Sequence, residues 1–142
     1  MIEYMTSSPQ STEQIGKDFG NTLKKGDVVA IFGGMGLGKT VFVKGLAAGM
    51  GISAFVSSPT FALVHEYPGN PPLFHFDMYR INSWDDLYST GFFDYLDLNG
   101  VVVIEWSENI EAALPKNCIK VEFMQGNKIN ERRIIIIGGE KG

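Results

Sequence analysis

Gly33, Gly38, Lys39 and Thr40 occupy every fixed position of G-x-x-x-x-G-K-[ST], inside the stretch VVAIFGGMGLGKTVFVKGL from Val28 to Leu46. Gly34, Met35, Gly36 and Leu37 fill the variable positions and Val41 follows directly. Glycines at this density let the backbone turn through conformations closed to residues with a Cβ, so that successive N–H groups can point inward at phosphate oxygens. The helix opening at Thr40 aims unpaired amides and its positive dipole end at the same anion. Lys39 can then reach the β- and γ-phosphates of a nucleotide, and the Thr40 hydroxyl can ligate Mg²⁺. A glycine-rich turn before a buried helix is the bland alternative, but an apolar run before the motif and a helical run after it supply the context that a phosphate loop requires.

Such a loop only binds. Hydrolysis also needs a carboxylate near the metal and a group that positions the attacking water. Asp77 and Glu105 each follow a four-residue apolar run, LFHF and VVVI, so both can emerge at the carboxyl edge of a sheet, where ligands collect in α/β folds. The residues alone do not divide the two roles between them. Thr60, in Ser57-Ser58-Pro59-Thr60, is either a hydroxyl that senses the γ-phosphate or part of a simple turn. His65 and His75 alternate with apolar residues in strands and read as packed or strand-surface imidazoles, because no second metal ligand is spaced near either.

The elements that must position these groups follow from periodicity. Ile2 to Met5 reads as a short strand, and Ser11 with Gln14 stands at capping-box spacing before the stripe Ile15, Phe19, Leu23, which predicts a helix ended at Lys24-Lys25-Gly26. Val28 to Phe32 is a buried strand into the loop. The helix from Thr40 should turn Val43, Leu46, Ala47 and Met50 inward. Ser53 to Ser58 is a weaker strand, and Phe61 to Tyr67 pairs with Leu73 to Phe76 across a proline-rich connection. Ser83 and Asp86 cap a helix through Leu87, Gly91 to Leu98 forms a loop with an aromatic turn, and Ser107 to Leu114 is a brief helix. Val101 to Ile104, the most apolar strand, belongs beside the phosphate-loop strand as a parallel neighbour. Cys118 to Phe123 and Arg132 to Ile137 close the sheet as an antiparallel hairpin. The fold class is therefore α/β: a P-loop NTPase-like, mainly parallel sheet flanked by helices, with antiparallel strands at the edge.

With 142 residues, 44% of them hydrophobic and 20% charged, the chain has room for one domain with a real core. A net charge of −4 gives no broad basic face for holding nucleic acid unaided. One cysteine, Cys118, makes no internal disulfide and reads as a small buried side chain; with no leader and no long apolar run, the expected location is cytoplasmic. Asn127-Lys128-Ile129-Asn130 lacks the final carboxylate of the guanine-reading N-K-x-D motif and reads as a hairpin turn, which leaves adenine as the default base.

Beside the loop GGMGLGKT stand SSPTF at Ser57 to Phe61, LVHEY at Leu63 to Tyr67, HFDMYR at His75 to Arg80 and IEWSE at Ile104 to Glu108. In this order and spacing the chain resembles the bacterial TsaE (YjeE) family over almost its whole length. The resemblance implies a Mg²⁺-dependent ATPase required for threonylcarbamoyl-adenosine modification of tRNA, acting with the TsaB–TsaD heterodimer to permit repeated turnover. It implies Lys39 and Thr40 as phosphate and Mg²⁺ ligands, Asp77 as the essential aspartate, Glu105 as the Mg²⁺-associated glutamate, Trp106 as the required tryptophan and Thr60 in a switch-like segment. Glu108, in the same stretch as Trp106, joins the expected nucleotide contacts. Arg132 and Arg133 stand on the last strand, where exposed cations are common, and Arg133 is the one assigned to adenine or ribose. Arg80 could act on phosphate or pair with Asp77. The chain departs from the family at Gly34-Met35, where an acidic-apolar pair is usual, at Leu37, usually alanine, and at Ser107, usually proline. A small-molecule kinase and a nucleotide-gated binding module are the competing readings; three arginines are few for a kinase, which must hold a second substrate as well.

Overall fold

The computed structural model describes residues 1–34, 36–53 and 64–138. Its sheet has seven strands: β1 (Ile2–Thr6), β2 (Val28–Phe32), β3 (Val64–Tyr67), β4 (Leu73–Asp77), β5 (Val101–Glu105), β6 (Ile119–Gln125) and β7 (Arg132–Ile137), in spatial order β1-β7-β6-β2-β5-β4-β3. The central four, β6, β2, β5 and β4, run parallel; β3, β7 and β1 add antiparallel edges. This is the expected arrangement, with β2 beside β5 from Val28↔Val102 onward. A doubly covered parallel sheet demands continuous apolar strands, and all five residues of β5 are buried.

Alternate side chains feed two cores. Val29 and Ile31 of β2, Leu73 of β4 and Val101 and Val103 of β5 face α1 (Pro9–Gly20) and α2 (Lys39–Gly49). Val28, Ala30, Phe74, Phe76, Val102 and Ile104 face α3 (Trp84–Ser89) and α4 (Phe92–Tyr95). By the same parity, His75, Asp77 and Glu105 fall on the α2 side of the sheet, in line with Leu73, Val101 and Val103.

The start of α1 differs from expectation. The capping box is Ser8 with Ser11, not Ser11 with Gln14: the Ser11 amide donates to Ser8 Oγ at 3.1 Å and the Ser8 amide to Ser11 Oγ at 3.3 Å. Pro9 explains the earlier start, since a residue without an N–H suits the first helical position. Helix α1 lies against α2 through glycines. A Cβ on Gly16 would sit 2.2 Å from Phe42 O, and one on Gly45 would sit 2.0 Å from Glu13 O, so the two backbones touch where no side chain fits. Phe42, fully buried, joins the inward face expected of α2, whereas Met50 is only partly covered.

On the other face, Ser83 caps α3 as expected, accepting the Asp86 amide. Gly91 to Leu98 contains one true helical turn, α4, because Phe92 is pulled wholly into the core while Thr90 Oγ1 accepts its amide. Ser107–Ala113 is a 3-10 helix kinked at Ile110. Gly126 and Glu131 close the β6–β7 hairpin through the Gly126 amide and Glu131 O at 3.0 Å, so the Asn127-Lys128-Ile129-Asn130 stretch is the turn that was expected. Cys118 is buried, and burial pushes its thiol pKa up. Among the described residues, no helix is long and apolar enough to cross a membrane.

Candidate functional site

Three chain segments meet at the carboxyl edge of the parallel strands: the loop after β2, the end of β4 and the end of β5. Gly33 leaves β2 at φ +140°, and a Cβ there would crowd Phe123 O at 2.9 Å; only glycine makes this turn. Gly38, at φ +91°, starts α2 with no side-chain cap and no acidic residue in the first turn, so the helix presents bare amides at its N-terminus. Lys39 folds back, donating from Nζ to Gly33 O at 2.7 Å, and its ammonium lies 4.0 Å from the centre of the Trp106 ring. It is buried, which depresses its pKa, while Glu105, then Glu108 and Asp77, pull the other way.

The two carboxylates stand side by side, Asp77 of β4 in register with Glu105 of β5. They live in different surroundings. Glu105 is buried and its Oε2 lies 2.5 Å from His75 Nε2. Asp77 is half-buried and accepts the Tyr79 amide at 2.9 Å. Burial raises the Asp77 pKa above the usual carboxylate value; the Tyr79 hydrogen bond opposes that, and Glu105 adds to it. Beyond β5, Trp106 takes a left-handed conformation at φ 59°, which swings its ring over Lys39 and against Tyr79, centroids 4.9 Å apart. Ser107 donates from Oγ to Ile104 O at 3.0 Å and pins this bend. Glu108 accepts the Gly33 amide at 2.8 Å, and Asn109 Nδ2 donates to Met78 O at 2.8 Å and Tyr79 O at 3.1 Å, tying the end of β5 to that of β4.

One ammonium thus faces three carboxylates, Glu105, Glu108 and Asp77. That excess of negative charge suits a divalent cation. Among the described residues no group of three or more His, Cys, Asp or Glu side chains could hold a metal alone. Mg²⁺ fits such a place: it takes one or two carboxylates and draws its remaining ligands from water and substrate phosphates. Thr40, second residue of α2, begins the helix on the sheet face to which Glu105 and Asp77 belong.

Of the expected site residues, Gly33, Lys39, Asp77, Glu105, Trp106 and Glu108 come together. Gly34, Gly36, Leu37, Gly38, Thr40 and Val41 follow along the loop, and Met35 and Thr60 lie outside the described residues. Arg133 is engaged elsewhere: it pairs through Nε and, at 3.2 Å, through Nη2 with Glu3 on β1. Its neighbour Arg132 points to the loop instead, donating from Nη2 to Gly36 O at 3.3 Å. Arg132, Asn130, Thr12, Gly38 and Val41 line a cavity of about 420 Å³ against the loop. Successive strand residues face opposite ways, so the choice between the two arginines hung on a one-residue register that pattern alone does not supply. His75, expected as a packed or strand-surface imidazole, is packed, and it is also a partner of Glu105. The signal was available, since His75 and Asp77 are two apart in one strand and so share a face.

The model of the family described as threonylcarbamoyl adenosine biosynthesis protein TsaE matches residues 6–134. A tRNA threonylcarbamoyladenosine biosynthesis protein TsaE of Treponema pallidum is 39% identical over 119 residues, 84% of this chain and 88% of that protein. The protein of the same name from Bacillus subtilis is 38% identical over 134 residues, 94% of this chain and 83% of its own. The crystal structure of Bacillus subtilis YdiB superposes with a TM-score of 0.81 at 33% identity, covering 96% of this chain and 84% of that one. A phosphate loop at the head of a parallel sheet, the paired carboxylates beside it and this likeness along nearly the whole chain agree: the chain belongs to the TsaE family.

Proposed function

We propose that this protein binds and hydrolyses ATP with Mg²⁺ in the cytoplasm and, with a TsaB–TsaD complex, supports repeated rounds of threonylcarbamoyl-adenosine modification of tRNA. The observation that carries the reading is the placing of Lys39, folded onto Gly33 O and under Trp106, beside the registered pair Asp77 and Glu105. The loop amides and Lys39 bind the β- and γ-phosphates. Mg²⁺, when bound, would supply charge neutralisation to the phosphate oxygens. Thr40 and Glu105 hold the metal, Glu105 with its carboxylate already fixed by His75. Asp77, less buried and with a raised pKa, orients the water on the phosphate side. Trp106 covers the Lys39 ammonium and keeps water from it. The cavity beside Gly38, Val41 and Arg132 takes the nucleoside end.

The net charge of −4 supports a role in which tRNA is held by the partner proteins. Modification of tRNA reconstituted from TsaB, TsaD and this chain tests the reading. Multiple turnovers that need the chain, ATP and Lys39 are the expected result; modification equally rapid without the chain, or with Lys39→Ala, contradicts it. Phosphate transferred to an added acceptor in place of water would mark a kinase.

A further inference from the structure

Position 75 is an expensive place for an imidazole. β4 lies between β3 and β5, and on the α2-facing side of β4 and β5 the ring stands among Leu73, Val101 and Val103, all fully buried, with Asp77 and Glu105 at the strand ends. His75 has no exposed surface, and its Nδ1 is buried without a hydrogen-bond partner among the described residues, an arrangement that costs stability which leucine or valine would not lose. What the ring does have is Glu105, with Nε2 2.5 Å from Oε2, close enough for a hydrogen bond. Glu105 needs such a partner. Its side chain has three rotatable bonds and only 4% exposure, and the nearby ammonium of Lys39 is turned to Gly33 O and Trp106.

We propose that His75 is a positioning residue for the metal-facing carboxylate: its Nε2–H holds Glu105 Oε2 and leaves Oε1 outside that bond for the cation. The proposal rests on the Mg²⁺–nucleotide reading of the site given above. The imidazole does not touch nucleotide or metal; it removes the rotational freedom that Glu105 would otherwise lose on binding, and it keeps a buried carboxylate satisfied before the cation arrives. Asp77, at the strand end, is held by the Tyr79 amide, and among the described residues it has no side-chain partner equivalent to the His75 ring.

The measurement is the Mg²⁺ concentration that half-maximally tightens binding of a fluorescent ATP analogue. It is made for the parent, His75→Phe, His75→Gln, Glu105→Gln and the double variant His75→Phe/Glu105→Gln. Phenylalanine keeps the ring volume and removes the donor, so the Mg²⁺ requirement should rise by about 10–100-fold, the usual effect of losing a partner that orients a metal ligand. Glutamine places an amide N–H near the Nε2 position and should recover most of the loss. In the Glu105→Gln background His75→Phe should add less than about 2-fold, because groups acting through one another are not additive. If His75→Phe does not fold, His75→Asn replaces it: its shorter amide cannot reach Glu105 and should behave as the donor-less variant while glutamine does not. A Phe or Asn variant with the parent's Mg²⁺ requirement, a Gln variant no better than Phe, or multiplying effects in the double variant would reduce His75 to core packing and overturn the proposal. A parent protein that binds the analogue without any response to Mg²⁺ removes the underlying reading of the site, and the proposal with it.

Discussion

The two faces of the sheet are built by different physics, and the site lies where they meet. On the α1–α2 face, helices approach until backbone touches backbone, with glycines at 16, 20, 45 and 49 opposite carbonyls or amides of the other helix. On the α3–α4 face, contact runs through large rings, Phe76 against Phe92 and Tyr95 and Phe74 against Tyr95, while Trp84 and Tyr88 stay more than half exposed. The first face leaves no room for a side chain between the helices and sets the axis of α2, hence the direction in which its bare N-terminal amides point. From the second face the site receives polar tethers: Asn109 to the carbonyls after β4, Glu108 to Gly33, Ser107 to Ile104. A rigid anion cradle is thus set opposite carboxylates held by individual hydrogen bonds, and perturbations of the two should differ in kind.

The largest expected effect is at Lys39, the point shared by both faces. Lys39→Ala removes the cation from three carboxylates and from the phosphates, and should weaken nucleotide binding by on the order of 100-fold, as loss of one partner of a buried charge pair does. Equilibrium binding in a folded variant checks this. Asp77→Asn should act on turnover more than on binding: near-parental nucleotide affinity with phosphate release down by roughly 10-fold or more, since it disturbs orientation of the water and not the cradle. A binding loss equal to the turnover loss would erase the distinction between the two carboxylates.

Gly45→Ala tests the rigid face alone. With Glu13 O only 2.0 Å from the new Cβ, the helices must separate, and unfolding in denaturant should show a loss of about 1–3 kcal/mol, the cost usual for overpacking. The Mg²⁺ requirement of the remaining folded protein should change little. The smallest effect expected is a pH dependence. Burial raises the Asp77 pKa in the folded state, so the folded protein holds this proton more tightly than the unfolded chain does. Stability should therefore fall as pH rises from the ordinary carboxylate pKa, 3.8, through the raised folded value, and Asp77→Asn should flatten that slope. Thermal unfolding of both proteins across mildly acid pH measures it, and parallel curves would mean that Asp77 ionises as freely folded as unfolded.

The parallel core, the loop and the closing hairpin were legible because each depends on local pattern: apolar runs of strand length, a complete glycine motif and a turn flanked by β-rich segments. So was the convergence of Asp77 and Glu105, two carboxylates following apolar strands of equal length, which the sheet sets in register. What escaped depends on relations between elements. The contact of Glu108 with Gly33 spans 75 positions, and the left-handed turn at Trp106 that permits it carries no glycine to announce it. Strand parity sends Arg132 toward Gly36 O and Arg133 to Glu3. Glycine lowers the stability of a single helix, and only the packed pair of α1 and α2 makes the glycines at their contact necessary.

Titration of nucleotide binding with Mg²⁺ in the parent and in Glu105→Gln asks most directly whether the end of β5 and the phosphate loop form one metal–nucleotide site. Binding of a fluorescent ATP analogue to the parent should tighten as Mg²⁺ is added, whereas Glu105→Gln, similar in shape but uncharged, should respond only at concentrations at least about 10-fold higher, in keeping with loss of a charged oxygen ligand. Superimposable Mg²⁺ curves for the two folded proteins would contradict the placing of the metal at Glu105.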